Sequence, residues 1–212
     1  MRIIEPQVFL ESELDQDVVM KHIEKAGRVC YKSESLISDE SAIKFISNLI
    51  KRGHESVIEH YSVTFRVVCD RGVTHEIVRH RIASYSQEST RYCNYAQDKF
   101  GKEITFIKPC FWQEGSEEYL VWEKAMANIE EYYFSLINLG ATPQEARSVL
   151  PNSLKTEIYI TMNLREWRHF LKLRTSKASH PQMRQVANMI GEILKEKLPF
   201  IFEDIQIDND NT

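Results

Sequence analysis

The sequence predicts a single α+β domain, and three observations support this prediction. The chain has 212 residues, which is close to the usual size of one domain with one hydrophobic core. Segments with helical periodicity are interleaved with a few strand-like segments that do not follow one another, which favours α+β over a doubly wound sheet. No Pro- or Ser-rich linker, internal repeat or low-complexity run divides residues 1–212, so one domain is expected to span them.

The first third of the chain predicts two helices and a strand. Amphipathic helices are expected over residues 16–31 and 39–52, with Ser38 as the N-cap residue of the second helix. Gly53 follows as a helix stop. Between Tyr61 and Cys69, β-branched and other apolar residues alternate with polar ones, which predicts a half-buried strand.

The rest of the chain continues the alternation of helices and strands. Short strands are expected over Ile104–Ile107 and Lys155–Met162. A long amphipathic helix is expected from Glu117 to Leu139, followed by Gly140 as its C-terminal residue. Further helices are predicted to begin at Thr142-Pro143, to cover Leu164–Leu173 and, as the last helix, to begin at His180-Pro181.

Composition and charge limit the classes of function. The formal net charge is -4 and the pI is near 6.0, so the surface as a whole has no general attraction for nucleic acid or for an anionic membrane. With neither a secretory start nor a run of roughly 18 uncharged apolar residues, a cytoplasmic protein is expected. The four cysteines are scattered without a CxxC pair, which predicts reduced thiols. No GxGxxG follows a predicted strand, so a Rossmann nucleotide site is not expected.

Residues 79–92 hold three arginines, a histidine and several hydroxyl groups. The Arg-His-Arg triplet at the start of this segment concentrates positive charge, which is unfavourable unless an anion, a carboxylate or solvent compensates it. Guanidinium and hydroxyl groups match phosphate oxygens in geometry and charge, so Ser89 and Arg91 are candidates for a phosphate site together with backbone N–H groups. Spacing alone leaves a solvated basic turn open as the alternative.

The same segment carries a family resemblance. Arg79-His80-Arg81, seven further residues and then Ser89 resemble the RHR-x7-S signature of flavin-dependent thymidylate synthases. The similarity extends in order and at family-like spacing to Gly53–His60, Glu145–Arg147, Val149–Pro151, Asn163–Arg165 and Phe170–Arg174. The resemblance therefore covers most of the chain.

This resemblance implies a fold of the thymidylate synthase-complementing type, in which long helices pack around a mostly antiparallel sheet. It also implies a methyltransferase of de novo dTMP biosynthesis, which converts dUMP to dTMP. The carbon donor would be 5,10-methylenetetrahydrofolate, which leaves as tetrahydrofolate, and FAD reduced by NADPH would be the hydride source. The family is homotetrameric with active sites shared between subunits, so the expected partners are dUMP, folate, NADPH and other copies of the chain, without nucleic acid or membrane.

The resemblance further assigns site residues. FAD would contact His54, Ser56, Glu59, Arg79, His80, Arg81, Gln87, Asn163, Arg165 and His169. The nucleotide dUMP would be held by Glu76, Arg79, Gln87, Glu88, Ser89, Thr90, Arg91, Arg147 and Arg174. Arg174 is the predicted catalytic residue, since a permanently charged guanidinium beside the uracil ring stabilises an enolate-like anion without a titrating base.

The chain departs from the family pattern at four positions. Ser86-Gln87 replaces a common Asn-Glu pair, His169 replaces a frequent asparagine, and Glu76 replaces a frequent glutamine. Gln87 and His169 can still form hydrogen bonds. We therefore keep Gln87 and His169, together with Glu76, among the predicted site residues.

Other interpretations of these residues are less favoured. Ser89 as a covalent nucleophile would need a base that the sequence does not indicate. His54 and His60 are six residues apart, whereas the zincin helix needs a spacing of four, so no metal is expected. Another nucleotide-binding flavoenzyme is the alternative enzyme. An RNA-binding module is less favoured still, since it would need a broader basic surface than this acidic chain offers.

Overall fold

Two sheets and eight helices make up the part of the chain that the computed structural model describes, residues 1–98 and 101–207. The strands are β1 (Arg2–Ile4), β2 (Gln7–Leu10), β3 (Ser62–Asp70), β4 (Ala83–Gln87), β5 (Thr105–Ile107) and β6 (Lys155–Asn163). The helices are α1 (Gln16–Val29), α2 (Ser41–Lys51), α3 (Arg71–Ile77), α4 (Glu117–Asn138), α5 (Pro143–Ala146), α6 (Leu164–Arg174), α7 (Pro181–Lys197) and α8 (Pro199–Phe202). The predicted α+β fold is confirmed, whereas a single domain over all of residues 1–212 stays a prediction.

The larger sheet has the strand order β2-β3-β6-β4, and all its neighbouring strands are antiparallel. The long strands β3 and β6 form its centre. β4 lies at one edge, with Ala83 opposite Met162 and Gln87 opposite Ile158 of β6. β1 and β5 form a separate parallel pair. The prediction of a mostly antiparallel sheet is therefore confirmed.

The main core joins the larger sheet to helices α1, α2, α3, α6 and α7. Val63 and Val67 of β3 are fully buried, which explains why apolar and polar residues alternate along this strand. Trp167 of α6 is buried in this core and donates its indole N–H to the carbonyl oxygen of Val63 at 3.0 Å. A second cluster joins β5 to α4 through residues such as Phe106 and Tyr133. The main core thus holds α3 and α6 in fixed positions relative to the sheet.

The start of α2 differs from the prediction. The helix begins at Ser41, and Ser38 is not its N-cap residue. The Ser38 N–H instead donates to the Ser41 hydroxyl at 2.9 Å, and the Ser38 carbonyl accepts from the Ser41 N–H at 3.3 Å. These two bonds satisfy Ser38 within a turn before the helix, which is a competing use of serine near helix ends. Gly53 and Gly140 follow their helices with φ of 72° and 96°, as expected for left-handed residues after a helix.

The sequence pattern does not predict β1, β2, α3 or β4. α3 is only seven residues long and follows β3 directly, with Asp70 as an N-cap that accepts from the Val73 N–H at 2.8 Å. β4 is a polar edge strand. α1 ends at Val29, before the predicted bound, and α8 follows α7, so the helix that begins at Pro181 is not the last of the described helices. None of the helices in the described part of the chain is long and apolar enough to cross a bilayer.

Candidate active site

Arg174, the last residue of α6, is held by two residues from the α3 region. Its NH1 donates to the Glu76 carboxylate at 2.7 Å, and its NH2 donates to the Glu76 carbonyl at 3.0 Å. Its Nε donates to His80 Nε2 at 3.1 Å. A guanidinium has five N–H donors, so these three bonds leave two for a ligand. The Arg174 side chain is 15% exposed, so a ligand can reach it from one side.

His80 is held as one neutral tautomer. Arg174 is always protonated and donates to Nε2, so Nε2 must accept and the ring proton must lie on Nδ1. Nδ1 then donates to the Glu166 carboxylate at 3.0 Å. Burial lowers the pKa of His80, and the charge of Arg174 adds to this effect, while the Glu166 carboxylate opposes it. The lowered pKa keeps the ring neutral at physiological pH.

A cleft of about 470 Å³ opens between the start of α6 and the 3-10 turn Glu55–His60. Its lining comprises Glu55, Glu59, Ile82, Asn163, Arg165, Glu166, His169 and Lys172. Four of the predicted FAD residues, Glu59, Asn163, Arg165 and His169, therefore come together here. His80 lies behind them, with its ring edge-on to the ring of His169 at a centroid distance of 5.5 Å.

Two of these residues also have local structural contacts. Asn163 is the N-cap of α6 and accepts from the Glu166 N–H at 2.9 Å. Arg165 forms an ion pair with Glu59 at 2.5 Å across the cleft, and both side chains are well exposed. The cap therefore stabilises the first turn of α6 beside the cleft, and the ion pair joins α6 to the 3-10 turn Glu55–His60.

The remaining predicted FAD contacts lie elsewhere. His54 and Ser56 are exposed on either side of Glu55 and do not line the cleft. Arg79 and Arg81 are exposed and form no ion pair within residues 1–98 and 101–207. These four side chains are therefore free to meet a ligand from outside the subunit.

A second cleft, of about 460 Å³, is lined by Arg71, Thr90, Gln144, Arg147, Ser148 and Leu150. Arg147 donates to the Thr90 hydroxyl at 3.4 Å, and Arg71 donates to the Glu88 carbonyl at 3.5 Å. In the described part of the chain neither arginine has a carboxylate partner. Two unpaired guanidinium groups beside hydroxyls form a site suited to an anion such as phosphate.

The two ends of α3 connect the second cleft to Arg174. Arg71 is the first residue of this helix and Glu76 lies five residues later, which separates them by roughly 8 Å along the helix axis. Behind α3, the Gln87 amide donates to the hydroxyls of Thr74 and Thr156 at 3.0 and 3.3 Å. A ligand with an anionic end and a polar ring can therefore lie along α3 between the two arginine sites.

The other predicted nucleotide residues follow β4. Glu88 accepts from Lys155 Nζ at 3.0 Å and from the Tyr95 hydroxyl at 3.2 Å, so its carboxylate already has protein partners. The Ser89 hydroxyl accepts from the Arg91 N–H at 3.3 Å, and Arg91 is exposed. Both nitrogens of His80 are already engaged, so His80 is not a base for Ser89.

Arg71, Glu166 and Arg168 belong to this region but were missed by sequence reasoning. Arg168 is 1% exposed and binds both oxygens of Asp204 at 2.6 and 2.7 Å and the Glu55 carboxylate at 3.1 Å. Helical spacing could have predicted that Arg168 is buried, since it falls on the apolar face of α6. Arg71 follows the end of a predicted strand, where functional residues are common.

His80, Glu166 and His169 have ligand atoms that lie within 4.8 Å of one another, which is a grouping seen in metal sites. A cation at Nδ1 of His80 would displace the proton to Nε2. That proton would then face the N–H of Arg174. The bonds in place favour a hydrogen-bonded network over a metal ion at this position.

The fold and these contacts define a class: an α+β protein that combines a cleft suited to an anion, a second polar cleft and a guanidinium fixed by protein hydrogen bonds. The family described as "Thymidylate synthase complementing protein" matches residues 15–200, and the chain belongs to this family. It is 40% identical over 171 residues to a flavin-dependent thymidylate synthase of Pyrococcus furiosus, covering 80% of this chain and 69% of the relative. It is 35% identical over 186 residues to the flavin-dependent thymidylate synthase of Geobacter sulfurreducens, covering 84% and 78%.

A solved structure is also similar. The crystal structure of a UMP/dUMP methylase, PolB from Streptomyces cacaoi, bound with 5-Br dUMP, has a TM-score of 0.78 and 26% sequence identity. The similarity covers 96% of each chain. The family and the fold that the resemblance implied are therefore confirmed, while the ligand roles of individual residues stay predictions.

Proposed function

We propose that this chain is a flavin-dependent thymidylate synthase that reductively methylates dUMP to dTMP. The observation that carries the proposal is the Arg174 guanidinium, which Glu76 and His80 hold with two N–H donors left over. The relatives that bear this activity in their names support the reaction.

In this proposal dUMP lies along α3. Its phosphate binds Arg147 and Thr90, and Arg71 adds a second guanidinium at the same end. Its uracil ring reaches the end of α3 near Glu76 and Arg174. The span of roughly 8 Å between the two ends suits a nucleoside monophosphate, which has its anionic and ring ends at a similar separation.

Arg174 supplies the electrostatic part of catalysis. Uracil C5 must become nucleophilic, so negative charge develops on the ring oxygens. The free N–H groups of Arg174 stabilise that charge, and they are already oriented before the reaction, which is where such donors are most effective. Because the guanidinium stays charged at physiological pH, it can stabilise the ring anion without gaining or losing a proton.

The cleft at α6 fits part of FAD. His169 and Ile82 offer surface for a ring system, and Arg165 and Lys172 offer cations for the pyrophosphate. Reduced FAD would supply the hydride that completes the methyl group. Asn163, His169 and Arg165 would hold and orient it next to Arg174. We further propose 5,10-methylenetetrahydrofolate as the carbon donor and NADPH as the reductant, as the family resemblance implies.

The active site is proposed to be shared between subunits of a homotetramer. Arg79, Arg81 and Arg91 are exposed and lack ion pairs in the residues that the structure describes, which supports a site completed by another copy. By resemblance, His54, Ser56 and Glu59 would reach the FAD of a neighbouring subunit. The proposed substrates are cytoplasmic metabolites, so the cytoplasm stays the expected compartment.

Tritium release from C5-labelled dUMP tests the function. With methylenetetrahydrofolate and NADPH, the native protein should release tritium, and Arg174→Ala should be slower by about a hundredfold or more. Arg52→Ala, at an exposed position after α2, serves as the matched control and should leave the rate unchanged. No release by the native protein would refute the function, whereas full release by Arg174→Ala would refute only the role of Arg174.

UMP is a second candidate substrate, since the similar structure is that of a UMP/dUMP methylase. The same assay with C5-labelled UMP separates the two nucleotides. We expect dUMP to be preferred, and equal rates would reassign the substrate. Absence of bound flavin after purification and reconstitution would favour the non-enzymatic alternative.

A further inference from the structure

We propose that Glu166 is a positioning residue of this reaction: its carboxylate fixes the tautomer of His80 and, through His80, the orientation of the Arg174 guanidinium. The proposal rests on the function proposed above, since it assumes that Arg174 acts on the nucleotide. Glu166 itself is not assigned to either ligand.

Glu166 is held firmly enough for this role. It is 8% exposed and lies in the first turn of α6, where its own N–H donates to Asn163 at 2.9 Å. Its Oε1 atom lies 3.0 Å from His80 Nδ1. Water therefore competes little for the carboxylate, and a charge-assisted hydrogen bond of this kind is stronger than a neutral one.

His80 bridges two residues of the same helix. Glu166 and Arg174 are eight positions apart on α6, which separates them by about two turns along the helix and by roughly 80° around it. The His80 ring lies between them, with Nδ1 toward Glu166 and Nε2 toward Arg174. Phe170 packs beside the ring at a centroid distance of 4.9 Å. The ring is therefore held in one orientation. The tautomer that the contact at Nδ1 favours determines whether Nε2 can accept a hydrogen bond from Arg174.

Loss of Glu166 would leave Nδ1–H without its acceptor in a buried site, which weakens the preference for the Nδ1–H tautomer and leaves the bond from Arg174 as its remaining support. In the other tautomer, Nε2–H would face the Nε–H of Arg174, and two donors would oppose each other. Arg174 would then keep its bonds to Glu76 and lose its third anchor. The guanidinium would sample several orientations, and the donors for the uracil ring would no longer be fixed.

Two variants separate hydrogen bonding from other effects of Glu166. Glu166→Gln keeps an oxygen that can accept from Nδ1–H and keeps nearly the same volume. Glu166→Leu keeps the volume and removes the acceptor. Glu192→Leu, an exposed glutamate on α7, is the control for loss of a carboxylate. Each variant is prepared with bound FAD, and its dUMP kinetics and the ring ¹⁵N shifts of His80 are measured. The His80 signals are assigned by their loss in His80→Asn.

We expect Glu166→Gln and Glu192→Leu to keep the Nδ1–H tautomer and to turn over within about threefold of the native rate. Glu166→Leu should shift the His80 signals toward the other tautomer and lower kcat by about tenfold or more. KM for dUMP should change less, because the phosphate is bound at the other end of α3.

Other outcomes would overturn the proposal. An unchanged His80 tautomer in Glu166→Leu would show that Glu166 does not set it, and an unchanged kcat would show that the tautomer does not matter. Equal losses in Glu166→Gln and Glu166→Leu would assign the effect to charge rather than to the acceptor. The ¹⁵N measurement needs no turnover, so it still decides the tautomer if the native protein forms no dTMP.

Discussion

His80 illustrates how a single side chain can link stability to the chemistry of the site. Its ring is 4% exposed and has a partner on each nitrogen. The sequence marks it through the Arg-His-Arg triplet, which indicates an anion site. The triplet does not reveal that His80 turns inward while Arg79 and Arg81 face outward, because that choice depends on Glu166, which is 86 positions away along the chain.

The lowered pKa of His80 predicts a dependence of stability on pH. The unfolded chain protonates this histidine near its ordinary pKa of about 6.5, while the folded protein resists protonation. The folded state therefore binds fewer protons, so its stability is highest above about pH 6.5 and falls as the pH drops toward the lowered pKa. Denaturant unfolding at about pH 7.5 and about pH 5.5 measures this loss.

The variant His80→Asn is the comparison for this measurement. It removes the titrating group, so the difference in unfolding free energy between the two pH values should become smaller than in the native protein. The same difference in both proteins would mean that groups other than His80 cause the pH dependence; Asp70 is not one of them, since its raised pKa makes the folded state bind more protons at low pH and acts in the opposite direction.

Among the secondary-structure elements, the long and strongly patterned ones are predictable. Alternation identifies β3 and β6, and helical spacing identifies α4 and α6, since each buries one regular face. α3 and β4 escape prediction for physical reasons: α3 is too short for its periodicity to show, and β4 is a polar edge strand. Glu76 lies in α3 and Gln87 in β4, and most of the other predicted nucleotide residues follow directly after these two elements, so their positions could not be predicted either.

Asn163 has two roles that can be separated at the start of α6. As an N-cap it should contribute about 1 kcal/mol to the unfolding free energy, so Asn163→Ala should lose that amount even without flavin. Asn163→Ser should recover most of the stability, because serine is also a good N-cap. Flavin binding should weaken in both variants if the amide itself contacts FAD.

Ser116→Ala is the matched control for this pair. Ser116 caps α4, away from the cleft, by accepting from the Tyr119 N–H at 3.3 Å. It should show a similar loss of stability with unchanged flavin affinity. If Asn163→Ala binds flavin as tightly as Ser116→Ala, Asn163 is a helix cap only.

For the whole molecule, the α+β class follows from element order, but the site depends on contacts that no local pattern contains. Arg174 meets Glu76 and His80 across 98 and 94 positions of sequence. Pairing of β3 with β6 brings these regions together, and register is set only when the core forms. The family resemblance identified Arg174 and Glu76 as site residues without indicating that they bond to each other.

The proposal that active sites are shared within a homotetramer predicts complementation between inactive variants. Arg174→Ala and His54→Ala should each be slow alone. When the two are co-expressed with different tags and purified as mixed tetramers, some sites receive the native Arg174 from one subunit and the native His54 from another. If such sites form at random, about one quarter of them are intact, and activity should rise accordingly.

Two results would contradict the proposal of shared sites. Activity no greater than the mean of the two variants would mean that each site lies within one subunit. A monomer on sizing at micromolar concentration would contradict the assembly itself. His54 suits this experiment because its side chain is exposed, so its loss should leave the fold intact.

The buried guanidinium of Arg168 joins the segment that follows α8 to Glu55, which lines the α6 cleft. Arg168 binds Asp204 and Glu55 together and donates to the carbonyl of Ile201. Loss of the Asp204 carboxylate would leave this guanidinium with Glu55 as its main counter-ion. Asp204→Ala should therefore lower the free energy of unfolding and loosen the α6 cleft, although Asp204 does not line that cleft.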